Sequence, residues 1–152
     1  MMKSLEALRG RALYFDSNVF IYAFEGEMDP VREAAGQLLQ AAEAQHCAAA
    51  TSLISRAEVL VRPLRQKQVE LADRYRALLS GAGAVSLYGV DENVVDRAAE
   101  LRADYPVLKL PDALHIATAL HIGSDVFITG DQRLAAVSAR MAVLTLSQLP
   151  GA

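Results

Sequence analysis

The stretch KLPDALHIATALHIGSDVFITGD, residues 109–131, decides the fold class, because it is typical of an apolar helix followed by a glycine stop and an apolar strand. Pro111 suits a first helical turn and Gly123 suits a helix end. The run VFIT is typical of a strand that is buried on both faces. Each element also carries a carboxylate, Asp112 in the first turn and Asp131 just beyond the strand. These aspartates could be caps or parts of a shared site.

The same alternation extends outward through the rest of the chain. Strands are predicted at ALYFD (12–16), CAAATS (47–52), AVSLY (84–88) and AVLTL (142–146). Helices are predicted at 17–25, 30–44, 53–64, 66–79, 92–105 and 132–137. The first opens with the capping residues Ser17 and Asn18, the third follows the cap Ser52 and is closed by Pro63, and the helix 92–105 follows Asp91. Short apolar strands that alternate with helices favour an α/β fold with a central, mainly parallel sheet of four or five strands flanked by helices.

Composition and length are consistent with one globular domain over residues 1–152, since 53% of the residues are apolar. No apolar run approaches the roughly 20 residues that a membrane helix needs. The first fifteen residues carry charges where a signal peptide would need an unbroken apolar segment, so we expect a cytoplasmic protein. The single cysteine, Cys47, excludes an internal disulfide and a cysteine-rich metal site.

The net charge of −3 argues against a broad nucleic-acid-binding surface, because affinity for phosphate backbones usually accompanies a basic surface. The one concentration of basic residues lies between Arg56 and Arg76. This stretch could equally be a solvated helical face. Any contact with nucleic acid would therefore have to be local.

Three aspartates are predicted to meet at the carboxyl end of the sheet, which is where parallel sheets form their sites. Asp16 follows the first predicted strand, and Asp131 follows the strand VFIT. The helix that carries Asp112 begins near the same end of the sheet. The fold therefore places these three carboxylates in one region.

Glu58 is a fourth candidate, at the edge of the apolar arc of the helix 53–64. It could turn toward the core side, or it could pair with Arg62 one helical turn further on. The predicted apolar arc consists of Leu53, Ile54, Ala57, Leu60, Val61 and Leu64. Both interpretations of Glu58 remain open from the sequence.

Carboxylates that lie within a few ångströms of one another repel unless a counter-charge is present. A divalent cation removes this repulsion, and ligands that are all oxygen suit Mg²⁺ or Mn²⁺ rather than zinc. A metal held in this way can activate water and neutralise charge on a phosphate, which favours phosphodiester hydrolysis. By the same argument, neutralising Asp112 or Asp131 should stabilise the metal-free protein.

Four motifs occur in the order and approximate spacing of PIN-domain proteins: YFDSNVFIYAF, SRAEVL, LKLPDALHIATAL and VFITGDQRL. Along essentially its whole length the chain most resembles the VapC-type toxins of type II toxin–antitoxin systems. The resemblance implies a Rossmann-like PIN fold and a Mg²⁺- or Mn²⁺-dependent endoribonuclease. It also implies a homodimer and a small antitoxin whose C-terminal segment covers the cleft.

The resemblance also assigns roles by position. The family's four catalytic and metal-binding acids match Asp16, Glu58, Asp112 and Asp131. Polar positions that often line such a site match Asn18 and Thr129. With an RNA substrate implied, the basic stretch becomes the candidate contact surface, through Arg56, Arg62 and Arg65.

Other functions fit the sequence less well. His115 could bind a metal or move protons, but a histidine on a crowded helix more often satisfies a neighbouring group. A receiver domain would need adjacent acids after the first strand, and a haloacid-dehalogenase-like phosphatase would need a second aspartate at position 18, where Asn18 stands. A PIN-like module that binds RNA or a protein without cleavage remains an alternative.

Overall fold

Five parallel strands form one sheet in the order β3-β2-β1-β4-β5. The computed structural model describes residues 4–149. The strands are β1 (Ala12–Phe15), β2 (Ala48–Ser52), β3 (Val85–Tyr88), β4 (Val126–Thr129) and β5 (Ala142–Thr145). The α-helices are α1 (Ser17–Glu25), α2 (Pro30–Glu43), α3 (Leu53–Arg65), α4 (Val69–Leu78), α5 (Glu92–Asp104) and α6 (Leu110–His121), with 3-10 helices at Glu6–Leu8, Gln132–Val137 and Leu146–Gln148. None of the helices in the described range is long and apolar enough to cross a membrane. The predicted α/β fold is confirmed.

The order of the strands reverses at β1, which lies at the centre of the sheet. From β1 the chain builds outward through β2 to β3, and it then crosses back to place β4 on the other side of β1. Phe15 at the end of β1 pairs with Ile128 near the end of β4. A crevice forms where the strand order reverses in such sheets, so the ends of β1 and β4 are the expected place for a site.

Two apolar clusters cover the two faces of the sheet. Because side chains alternate along a strand, Phe15 and Ile128 join one cluster, whereas Tyr14 and Phe127 join the other. The rings of Tyr14 and Phe127 stack with centroids 5.2 Å apart. The first cluster includes Val19, Phe20, Leu38, Val59 and Tyr75, and the second includes Val94, Leu101, Ile116, Leu134 and Val137. Burial on both faces explains the unbroken apolar runs of β1 and β4.

The start of α1 differs from the prediction. Its capping side chain belongs to Asp16, which accepts a hydrogen bond from the backbone N–H of Ser17 at 2.8 Å. Ser17 and Asn18 are instead the first two residues of the helix. The candidate site residue Asp16 is thus also the residue that begins α1, so its carboxylate is held at the end of β1.

Helix α3 begins after Ser52, as predicted, and the Ser52 hydroxyl accepts from the N–H of Ile54. Pro63 does not end the helix, which continues to Arg65. A proline near the last turn removes one hydrogen bond, but the chain can still complete that turn before it leaves the helix.

The predicted apolar arc of α3 is wrong, since Leu53, Val61 and Leu64 are about half exposed. The residues that α3 buries are Ser55, Val59 and Pro63. The inward face also carries a polar contact that periodicity does not show: the Ser55 hydroxyl lies 2.7 Å from the hydroxyl of Thr51, which itself donates to the carbonyl of Phe15. Of the predicted arc, Leu60 is partly buried against the core.

We expect Gly36→Ala to raise the free energy of unfolding by about 0.5–1 kcal/mol, because glycine in a helix interior costs about that much relative to alanine. A Cβ atom at Gly36 would meet nothing within 4 Å. Gly26→Ala should act in the opposite direction, since its Cβ would lie 2.4 Å from the carbonyl oxygen of Tyr22. Urea denaturation followed by circular dichroism measures both changes, and a loss of stability in Gly36→Ala would contradict the open surface around α2.

Candidate active site

Asp16 lies at the end of β1 with its carboxylate almost fully buried, and the residue is 6% exposed. Its Oδ1 accepts from the N–H of Ser17, and its Oδ2 accepts from the hydroxyl of Thr129 at 2.8 Å. The amide nitrogen of Asn18 lies 3.3 Å from the same Oδ2. Three donors therefore fix the orientation of this carboxylate.

Asn18 and Thr129 tie the start of α1 to the end of β4. The Asn18 side chain donates to the Thr129 hydroxyl at 3.3 Å and accepts from the N–H of Gly130 at 2.8 Å. The Thr129 hydroxyl also accepts from the N–H of Asp131 at 3.0 Å. The structure thus places both predicted polar residues next to Asp16, with the Asp131 backbone one hydrogen bond away.

Glu58 is joined to the region of Asp16 by His115. The Nε2 atom of His115 lies 2.6 Å from Oε1 of Glu58 and 3.7 Å from Oδ1 of Asp16. Among the described residues, the ion-pair partner of Glu58 is His115 and not Arg62. The interpretation of Glu58 as turned toward the core side therefore holds, and a helical pair with Arg62 does not form.

His115 is itself buried, with 1% of its surface exposed, and both ring nitrogens are engaged. Its Nδ1 lies 2.6 Å from the hydroxyl of Tyr14. Burial raises the pKa of Tyr14, so the phenol keeps its proton and can donate it to Nδ1. A Glu58 carboxylate can only accept a hydrogen bond, so the single N–H of the imidazole ring is assigned to Nε2. His115 then has no free nitrogen for a metal, so its contacts favour a positioning role.

Asp112 and Asp131 form a second pair, bridged by Arg133. The guanidinium of Arg133 donates through Nε and Nη2 to the carboxylate of Asp131, with the shortest contact at 2.6 Å. Nη2 also reaches Oδ2 of Asp112 at 3.4 Å, and Nη1 donates to the carbonyl of Val107 at 3.3 Å. The same Oδ2 of Asp112 accepts from the N–H of Lys109 at the start of α6.

With this geometry in place, the chain can be compared with known proteins. A family model described as PIN domain matches residues 13–140, which is most of the chain.

The chain belongs to the PIN-domain family.

Solved structures with the same fold include a toxin–antitoxin complex from Klebsiella pneumoniae, which is 29% identical, covers 89% of this chain and 98% of its own, and has a TM-score of 0.68. VapBC2 from Rickettsia felis bound to a promoter DNA fragment is 14% identical, with coverage of 88% and 97% and a TM-score of 0.68. FitAB bound to the IR36 DNA fragment is 18% identical, with coverage of 88% and 94% and a TM-score of 0.67. No curated protein sequence matches the chain. The resemblance to PIN-domain proteins predicted from four motifs is confirmed.

The acids of this PIN domain form two pairs. Asp16 and Glu58 both lie near His115, and Asp112 and Asp131 both contact Arg133. Thr129 connects the pairs through its hydrogen bonds to the Asp16 carboxylate and the Asp131 N–H. Within residues 4–149, no three side chains of His, Cys, Asp or Glu are arranged to hold one metal ion. The donor set nevertheless fits Mg²⁺ or Mn²⁺ chemically, since all four side chains offer carboxylate oxygens. A site shared by all four acids remains a prediction.

The two pairs differ in their electrostatics. Burial raises the pKa of Asp16 and the charge of Glu58 adds to this shift, whereas the nearby His115 and the hydrogen bonds from Thr129 and Ser17 oppose it. Hydrogen bonds from Arg133 hold the pKa of Asp131 below its ordinary value. The premise that Asp131 lacks a counter-charge was therefore wrong, because Arg133 supplies one.

Sequence reasoning missed Arg133 and Tyr14. Tyr14 could have been found from the sequence, because it lies within an apolar strand that is predicted to be buried on both faces. A buried phenol usually has a hydrogen-bond partner. The sequence predicted a helix at 132–137, but it did not predict the 3-10 geometry in which Arg133 pairs with Asp131.

The three arginines proposed for RNA contact lie on α3. The Nη1 atom of Arg56 lies 3.5 Å from the carbonyl of Leu79, just past the end of α4. Arg62 and Arg65 are exposed in the last turns of α3. Their contact with RNA remains a prediction.

We expect Asp16→Asn and Asp131→Asn to change stability with opposite dependence on pH. The folded pKa of Asp16 is raised, so its ionisation destabilises the fold increasingly as pH rises above the unfolded pKa of about 3.9. Asp131 has a lowered folded pKa, so its stabilisation is present above that value and is lost as pH falls. Relative to wild type, Asp16→Asn should gain stability as pH rises from 4 to 7, whereas the stability deficit of Asp131→Asn should be nearly constant over that range and should shrink as pH falls below about 4.

Urea denaturation of EDTA-treated protein at several pH values from about 3 to 7 measures these differences. Asp104→Asn is the matched control, since Asp104 is an exposed acid that pairs with Arg140. Parallel pH profiles for the two site variants would show that their carboxylates are in equivalent environments and would contradict the assignment.

Proposed function

We propose that this PIN domain is a divalent-metal-dependent endoribonuclease and the toxin of a VapBC-like toxin–antitoxin pair. The observation that supports the proposal is that Thr129 contacts both the Asp16 carboxylate and the backbone of Asp131, with Glu58 bound to His115 beside Asp16 and Asp112 bridged to Asp131 by Arg133. The similar solved structures, which include a toxin–antitoxin complex and VapBC2, support the toxin assignment.

The ligands for a Mg²⁺ or Mn²⁺ ion would be the carboxylates of Asp16, Glu58, Asp112 and Asp131. When bound, such an ion supplies an activated water and neutralises charge that develops on the scissile phosphate. Carboxylate ligands suit this ion because a hard cation prefers oxygen donors.

The remaining polar residues orient these acids. The Ser17 N–H and the Thr129 hydroxyl hold Asp16, so this carboxylate need not reorganise when it takes a ligand. His115 holds Glu58 through Nε2, and Tyr14 holds His115 through Nδ1. This chain of contacts starts in the core and ends at the site, which fixes Glu58 although its side chain is 35% exposed.

The proposed partners follow from the relatives. A small antitoxin protein would bind this chain, and its C-terminal segment would cover the acids. We also propose that the chain forms a homodimer in the cytoplasm and that Arg56, Arg62 and Arg65 contact the RNA.

One observation favours a second candidate, a PIN-like module that binds RNA or a protein without cleavage. Arg133 already offsets part of the charge of Asp112 and Asp131, so these two acids depend less on a metal for charge balance. Cleavage activity separates the two candidates.

We expect the purified protein to cleave a mixed RNA pool in the presence of Mn²⁺ and to stop when EDTA is added. Asp16→Asn and Glu58→Gln should abolish cleavage, because each replaces a charged ligand by a neutral amide. Asp104→Asn should cleave like wild type. Cleavage that persists in EDTA would indicate a histidine-dependent ribonuclease, and RNA binding without cleavage would favour the second candidate.

Tyr14→Phe should weaken Mn²⁺-dependent cleavage by roughly 10-fold or more, as the loss of a partner behind a ligand typically does. It should also lower the free energy of unfolding by about 1–3 kcal/mol, since Nδ1 of His115 would be left buried without its partner. Rates and urea denaturation are measured together. An unchanged cleavage rate in a destabilised variant would show that Tyr14 supports the core and not Glu58.

A further inference from the structure

Arg133 is the cation that lies closest to the acids of the site, and all of its guanidinium nitrogens are in use. Nε and Nη2 contact Asp131, Nη2 also contacts Asp112, and Nη1 contacts the carbonyl of Val107. The side chain is 41% exposed, so it lies at the surface of the site and not within the core. A planar guanidinium held at three points is a built contact and not a solvated side chain.

The carboxylate of Asp131 accepts from three N–H groups of Arg133, and both of its oxygens contact the guanidinium. Its Oδ1 accepts from the backbone N–H and the Nε of Arg133, and its Oδ2 accepts from Nε and Nη2. Two carboxylate oxygens offer about four acceptor positions in total. A cation on either oxygen of Asp131 would lie beside the positive guanidinium, so its binding is opposed until at least part of the Arg133 contact opens.

The carboxylate of Asp112 has fewer hydrogen-bond partners than that of Asp131. Only its Oδ2 accepts hydrogen bonds from residues that the structure describes, one from the Lys109 N–H at 3.0 Å and one from Arg133 at 3.4 Å. Oδ1 thus makes no hydrogen bond with the described residues. Arg133 consequently controls Asp131 more tightly than it controls Asp112.

We propose that Arg133 is a built-in competitor of the divalent ion: its guanidinium occupies Asp131 and the near oxygen of Asp112, and it withdraws when the ion binds. This inference rests on the proposed metal site. It makes the occupancy of the site a balance between a tethered monovalent cation and a free divalent cation. Replacing Arg133 should therefore tighten ion binding, whereas a residue that merely orients a ligand should weaken it when removed.

The test is isothermal titration of EDTA-stripped, dialysed protein with Mn²⁺ alone. Arg133→Gln removes the charge and the fork of donors, and we expect its affinity for Mn²⁺ to exceed that of wild type by roughly 5-fold or more, a typical coupling between competing sites. Arg133→Lys keeps the charge but loses the fork, so its affinity should lie between the two. Arg140→Gln is the matched control, because Arg140 pairs with the exposed Asp104 and should bind Mn²⁺ like wild type.

A second readout is thermal unfolding of the same variants. In EDTA, Arg133→Gln should melt below wild type because Asp112 and Asp131 lose their counter-charge. The increase in melting temperature on adding Mn²⁺ should be larger in this variant than in wild type. Circular dichroism confirms that each variant is folded before either comparison is made.

The outcomes separate the two proposals. Equal or weaker Mn²⁺ binding by folded Arg133→Gln would overturn the competitor role, even if wild type cleaves RNA. Tighter binding without RNA cleavage would support the competitor role and overturn the nuclease assignment. Absence of Mn²⁺ binding in wild type and in both Arg133 variants would overturn both.

Discussion

The hydrogen bond between the Thr129 hydroxyl and the Asp16 carboxylate is the interaction on which the rest of the site depends. It joins the end of β4 to the end of β1, and these strands are neighbours only because the chain reverses its strand order at β1. Residues 113 positions apart thereby share one contact. The same carboxylate begins α1, so a single side chain sets the start of a helix, the junction of two strands and the orientation of a candidate ligand.

The acids of the candidate site are stabilised in two different ways. Asp16 is buried, and its charge is supported by hydrogen bonds and by His115, which is also shared with Glu58. Asp131 is near the surface and is held by an arginine two residues away. Identical side chains thus have opposite shifts of pKa because their surroundings differ, as in other sites where acids take separate roles. Simple repulsion among four equal charges does not describe this arrangement.

The sequence predicted the features that depend on local residue pattern or on the order of the strands. The apolar runs of β1 and β4 predicted buried parallel strands, and their ends predicted where Asp16 and Asp131 lie. The buried face of α3 was not predicted from apolar periodicity, because it includes Ser55, whose hydroxyl has its partner, Thr51, in the folded protein. The partners of His115 were equally hidden, since Tyr14 and Glu58 are distant in the chain and meet only in the folded protein.

The net charge of −3 has less bearing on an RNA substrate than composition suggests. Electrostatic attraction acts over about 8–10 Å at physiological salt, so the charges close to the acids matter more than the total. Lys109 and Arg133 lie beside Asp131, and both charges lower its pKa after the stronger effect of the Arg133 hydrogen bonds. Arg56, in contrast, is directed to a backbone carbonyl beyond the end of α4. Lys109, just before α6, and Arg133, after β4, are therefore cations close to the acids that lie outside the basic stretch identified from composition.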